Sequence, residues 1–240
     1  PILNIGYGGY APLIMIALCF VAFLFGGVIR FNMAAGEQAI QNGDYGALAI
    51  RIETLSSWAL AFAYIISVSY YLNLLGAFAL SLTPFNSDLD AKLLTTGVFF
   101  IIVFVGWSRG FKSLEKMEYV SVSLKLAIIA GLLIGLMAHF GHRAIDDALI
   151  FNPPKLGGWS ALTLAFGLLI TVQGFETSRY LGSEYDAQTR IKSMRLAQWL
   201  SAAIYLVYIL LISYVFRPDQ MSSSETGIIN MMQIVAPILP

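Results

Sequence analysis

Residues 11–33 read APLIMIALCFVAFLFGGVIRFNM, an apolar run whose one charged side chain is Arg30. About 20 such residues, at 1.5 Å of helix rise each, cross a bilayer core of about 30 Å. Runs of this kind recur at 57–82, 93–108, 118–140, 160–181 and 196–216. A transmembrane β-barrel would show alternating segments of about ten residues, whereas these runs are continuous, so they are expected to be helices. The fold class that follows is an all-α polytopic membrane protein of about six transmembrane helices. The connections are short and hold no inserted soluble domain, so residues 1–240 are expected to form a single transmembrane domain. At 228–240 another apolar element begins. The chain opens on Pro1 without an initiator Met or a cleavable signal and stops as that last run rises, and it is expected to be a piece of a longer protein.

Composition agrees. Of 240 residues, 58% are hydrophobic and only 12% charged, with a mean hydropathy of +0.75, which is too apolar for a soluble domain. The formal net charge is zero and the basic residues form no tract, which excludes nucleic acid as a partner. Cys19, the one cysteine, lies inside an apolar run and reads as a small core residue. His139 and His142, near one helix end, read as interface residues. With no phosphate loop, no paired metal ligands and no nucleophile beside a base in the spans, no metal, nucleotide or covalent cofactor is implied, and the chain is not expected to be an enzyme.

Lys and Arg orient the helices. If the first span ends in the cytoplasm, the inner connections hold nine basic residues: Arg30, Arg51, Arg109, Lys112, Lys116, Arg179, Arg190, Lys192 and Arg195. The outer ones hold four: Lys92, Arg143, Lys155 and Arg217. Arg30 and the inner cluster therefore read as topogenic. The outer connection 141–158 contains Pro153 and Pro154, which block helix continuation, and reads as a connector.

Polar groups inside spans cost free energy unless they face protein or water. Glu176 stands in Thr171-Val172-Gln173-Gly174-Phe175-Glu176-Thr177-Ser178-Arg179, beside a glycine where a helix can break. A helix broken there frees backbone groups for a solute and sets the carboxylate at the positive end of the second half, or else Glu176 simply caps or pairs with Arg179. Lys125, inside the fourth span, either snorkels toward the cytoplasmic interface or gains and loses a proton in a dry interior. Tyr64, Ser67 and Tyr71 share one helix face, suited either to a solvated cavity or to helix–helix contact. Gly131 and Gly135 match a G-x-x-x-G pattern and read as close helix packing.

The stretch from Gly174 resembles the sixth helix and following loop of amino-acid permeases of the amino-acid/polyamine/organocation (APC) superfamily. Gly174, Phe175 and Glu176 match the glycine, apolar residue and acid of the unwound helix, and Glu184 matches the acid that begins the cytoplasmic loop. Where the family often places Asn-Pro, this chain has Tyr185 and Asp186. Lys125, within Leu124-Lys125-Leu126, falls where proton-coupled bacterial members carry a lysine in place of a sodium ion. The resemblance covers the whole chain as helices two to seven of a LeuT-like fold with two inverted five-helix repeats, without the first helix. Gly6-Tyr7-Gly8-Gly9-Tyr10 is assigned to the outer approach to the second helix.

What the resemblance implies is a secondary active transporter in the inner membrane, carrying amino acids or related small amines, proton-coupled and working by alternating access. Thr171, Gln173, Gly174 and Phe175, with Tyr64, Ser67 and Tyr71, would contact the solute, and Lys125 and Glu176 would handle the proton. The alternatives are a sodium-coupled or uncoupled exchanger on the same fold, and a membrane sensor or structural subunit that has lost transport.

Overall fold

The computed structural model describes residues 1–240 except 44–45, 82, 85–86, 222–226 and 236–240. Among the described residues it contains α-helices and 3-10 turns and no strand. The helices are α1 (Ile2–Tyr7), α2 (Ala11–Asn42), α3 (Ala47–Leu80), α4 (Asp88–Arg109), α5 (Phe111–Ile145), α6 (Gly158–Leu168), α7 (Ala187–Ser213) and α8 (Gly227–Val235). Among the described residues, five stretches are long and apolar enough to cross a membrane: Ile2–Gly36, Ala47–Leu80, Asp88–Arg109, Phe111–Ile145 and Ala187–Ser213. The expected span at 160–181 is instead the short apolar helix Gly158–Val172, followed by irregular backbone. Of the expected element at 228–240, α8 covers the first part, and residues 236–240 lie outside the described residues.

The chain forms two compact units. The first comprises Pro1–Tyr45, Leu133–Ser223 and Gln233–Ile238. Its centre is the pairing of α2 with α7. Arg30 on α2, only 7% exposed, donates from Nη1 to Oε1 of Gln198 on α7, while Nε2 of Gln198 donates to the Ala22 carbonyl at 2.9 Å. The Arg30 guanidinium also lies 5.1 Å from the centroid of the Phe23 ring, a cation–π arrangement. Gly26 makes this approach feasible, because a Cβ there would collide with the Gln198 amide. Arg30 thus has a packing role between helices that a topogenic residue does not need.

At the other end of this unit, residues 146–157 are woven into the fold, beyond the role of a connector. The Asn152 carbonyl accepts from Gly9 N–H at 2.8 Å, and its buried side chain donates to the Phe216 carbonyl at 2.8 Å. Lys155 and Leu156 amides donate to the Gly6 carbonyl, and Ser213 Oγ donates to Asn4 Oδ1 at 3.0 Å. Gly8, at φ 56°, sits so close to the Asn152 carbonyl that a side chain there has no room. The run Gly6 to Tyr10 is therefore the point where α1 turns into α2 against this loop.

The second unit comprises Gly46–Leu132, Ser224–Met232 and Leu239–Pro240. Here α3 and α4 pair where Gly76 leaves space for the Ala91 carbonyl and Thr95, whose hydroxyl donates to the Leu72 carbonyl at 3.0 Å. The start of α4 is capped by Ser87, which accepts from Asp90 N–H at 3.2 Å, with Asp88 and Asp90 favourably placed in the first turn. Gly131 faces open space among the described residues, so nothing there uses it for close packing.

Candidate functional site at an interrupted helix

After Leu168 the α-helical pattern is lost. Residues Leu169–Val172 form a 3-10 turn, Gln173 is extended, Gly174 takes a left-handed conformation at φ 107°, ψ −15°, and Phe175–Tyr180 form a second 3-10 segment. The side chains of Thr171, Glu176 and Thr177 turn back on nearby backbone, and the Gln173 main-chain N–H does the same. The Gln173 amide donates to Ile170 O at 3.3 Å and Thr171 Oγ1 to Leu168 O at 2.6 Å on one side. On the other, the Glu176 carboxylate accepts from Gly174 N–H at 2.8 Å, and Thr177 Oγ1 donates to the Gly174 carbonyl at 3.1 Å. Short polar side chains that compete for backbone hydrogen bonds in this way favour a local break over a continuous α-helix. Thr171, Gln173, Gly174, Phe175 and Glu176 are thus gathered at one interruption, with Glu176 capping the second segment.

Beside the break lies a cavity of about 370 Å³ between α2 and α7, reached by Val172 and walled by Cys19, Phe23, Gln198, Trp199 and Tyr205. Phe23 and Trp199 meet with ring centroids 5.3 Å apart. The walls are mostly apolar and aromatic, with the Gln198 amide and the Ser201 and Tyr205 hydroxyls as the polar groups, the pattern of a small-molecule pocket.

The segment after the break is anchored at its far end. Arg190, four residues into α7 and only 4% exposed, donates from Nη1 to Arg179 O at 2.8 Å and from Nε to Tyr185 O at 3.0 Å. Asp186 caps α7 by accepting from Thr189 N–H at 2.7 Å and from the Thr189 hydroxyl at 2.9 Å, and these bonds hold its carboxyl below the usual aspartate value. That Arg30, Gln198 and Arg190 shape the site is not evident from their sequence neighbourhoods. One signal was available for Arg190: a cation in a first helical turn opposes the helix dipole and calls for a compensating contact.

The other expected site residues lie in the second unit. Tyr64 lines a cavity of about 650 Å³ between α3 and α4, with Ser69, Asn73, Lys92 and Thr95. Ser67 is half-buried and Tyr71 is exposed, its ring 5.7 Å from that of Tyr70. Lys125 is exposed on α5.

Five membrane-length apolar helices and a shorter, interrupted apolar segment, with no strand among the described residues, define a multi-pass helical membrane protein. All of its residues, 1–240, match a family model described as APC superfamily transporter, and the chain belongs to that family. An uncharacterized protein of Aquifex aeolicus (strain VF5) is 37% identical over 243 residues, covering 100% of this chain and 59% of that relative. The chain thus spans little more than half the length of the curated relative it matches. No solved structure matches it.

Proposed function

We propose that the protein of which this chain is part is a secondary active transporter of amino acids or related small amines, proton-coupled and working by alternating access in the inner membrane. The observation that carries the reading is the interruption at Gln173 and Gly174, because irregular backbone at membrane depth persists where it lines a cavity or binds a solute. In this reading Thr171, Gln173, Gly174 and Phe175 hold the solute through backbone and short polar groups. Glu176 and Lys125 take up and release the proton. The adjoining apolar cavity suits the hydrocarbon part of a small amine or amino acid.

The test is uptake of a labelled panel of amino acids and amines by the full-length protein in proteoliposomes, with and without an inward proton gradient. Accumulation driven by the gradient and abolished by Lys125→Ala is the expected result. Gradient-insensitive uptake would remove proton coupling in favour of exchange or sodium symport, and absence of uptake across the panel would remove this solute class.

A further inference from the structure

Arg190, only 4% exposed, is buried next to the interrupted helix, and two of its hydrogen bonds run to the segment that follows the break. Its guanidinium gathers Arg179 O, the penultimate carbonyl of Phe175–Tyr180, and Tyr185 O, just before the α7 cap. The intervening stretch carries bonds of its own: Leu181 N–H bonds Ser178 O at 3.3 Å, Glu184 and Tyr185 amides bond Leu181 O at 3.1 and 2.9 Å, and Asp186 caps α7. Gly182 packs beside the guanidinium, where a Cβ would lie in ordinary van der Waals contact at 3.6 Å. At the other end of the segment the hydrogen bonds divide, Gln173 bonding back to Ile170 and Gly174 forward to Glu176.

We propose that Arg190 is a positioning residue that fixes the segment Phe175–Tyr180, and with it the Glu176 carboxylate, to α7, so that bending at the interrupted helix is confined to Gln173 and Gly174. The rigid planar guanidinium reaches the two carbonyls from two separate nitrogens, Nε and Nη1, whereas the three donors of a lysine ammonium all radiate from one nitrogen on a flexible stem and hold the same two groups less rigidly. A lysine at this position would keep the positive charge that an inner-facing connection needs, and so separates a topogenic role from the clamp. The consequence for transport rests on the transport reading above, whereas the clamp is a property of the fold.

The test uses the full-length protein in lipid nanodiscs with its native cysteines replaced by serine. Spin labels at Thr177 and Leu210 report the segment against α7, and labels at Gln188 and Leu210, about 33 Å apart by helix rise, report α7 alone. In Arg190→Lys and Arg190→Gln the Thr177–Leu210 distance distribution broadens at least about twofold while the α7 pair is unchanged, the signature of one local constraint released. An unchanged width in Arg190→Lys overturns the proposal, as does equal broadening of both pairs, and the lysine variant decides the matter should the glutamine variant fail to insert. Because the distances are read without any solute, a failed uptake assay would refute the transport reading and leave this result standing. A rigid segment in the variants of an active transporter would refute the clamp alone.

Discussion

Gly174 and Asp186 show how single residues shape the site. At φ 107° Gly174 occupies backbone space that an L side chain enters at a cost of about 1–2 kcal/mol, so Gly174→Ala is expected to destabilise the protein by about that amount, read as a lowered thermal midpoint in detergent. Glu176→Gln keeps a neutral acceptor for the Gly174 amide, whereas Glu176→Ala removes it. The alanine variant should lose the more stability, by about 1 kcal/mol, in the same melting assay. For Asp186, hydrogen bonds from Thr189 hold the folded carboxyl below its ordinary value of 3.8. The contribution of this cap is therefore complete above that value and is lost as pH falls through the lower folded one. Asp186→Asn, which also caps, should flatten the acid limb of a circular-dichroism titration while leaving neutral-pH helicity intact.

At the scale of elements, α2 and α7 are joined by an arginine and a glutamine 168 positions apart, over a glycine. A double-mutant cycle on Arg30→Ala and Gln198→Ala is expected to give a coupling energy of about 1–3 kcal/mol from thermal unfolding, and Gly26→Leu should disrupt the same seam. A coupling near zero would mean that the pair is incidental. The long helices were legible because each is set by its own composition: a run of apolar side chains finds its minimum as a helix whatever surrounds it. The exception is informative. The window at 160–181 is apolar enough to be taken for a span, yet Thr171 and Glu176 offer the backbone local partners that compete with a continuous helix, and Gly174 accepts the left-handed turn between them. Those residue types marked the place of the break beforehand; that both flanks become 3-10 was not readable from them.

For the whole molecule, the orientation argued from nine inner against four outer basic residues makes a direct prediction. With Cys19 replaced by serine, a cysteine at Asp146 should react with a membrane-impermeant maleimide added to intact cells and one at Lys112 should react only after permeabilisation; the opposite pattern would invert the topology. Sequence alone determined that this is a helical multi-pass membrane protein, because apolar length acts over a few neighbouring residues, and its resemblance around Gly174 to Glu184 pointed to the APC superfamily and to the place where a helix can break. The tertiary structure alone decided that Arg30 grips Gln198, that Asn152 draws residues 146–157 onto the Gly6 to Tyr10 turn, and that Arg190 holds the end of the interrupted helix. Each of these joins groups from different elements, and their free energy exists only once packing has removed water and lipid from between them.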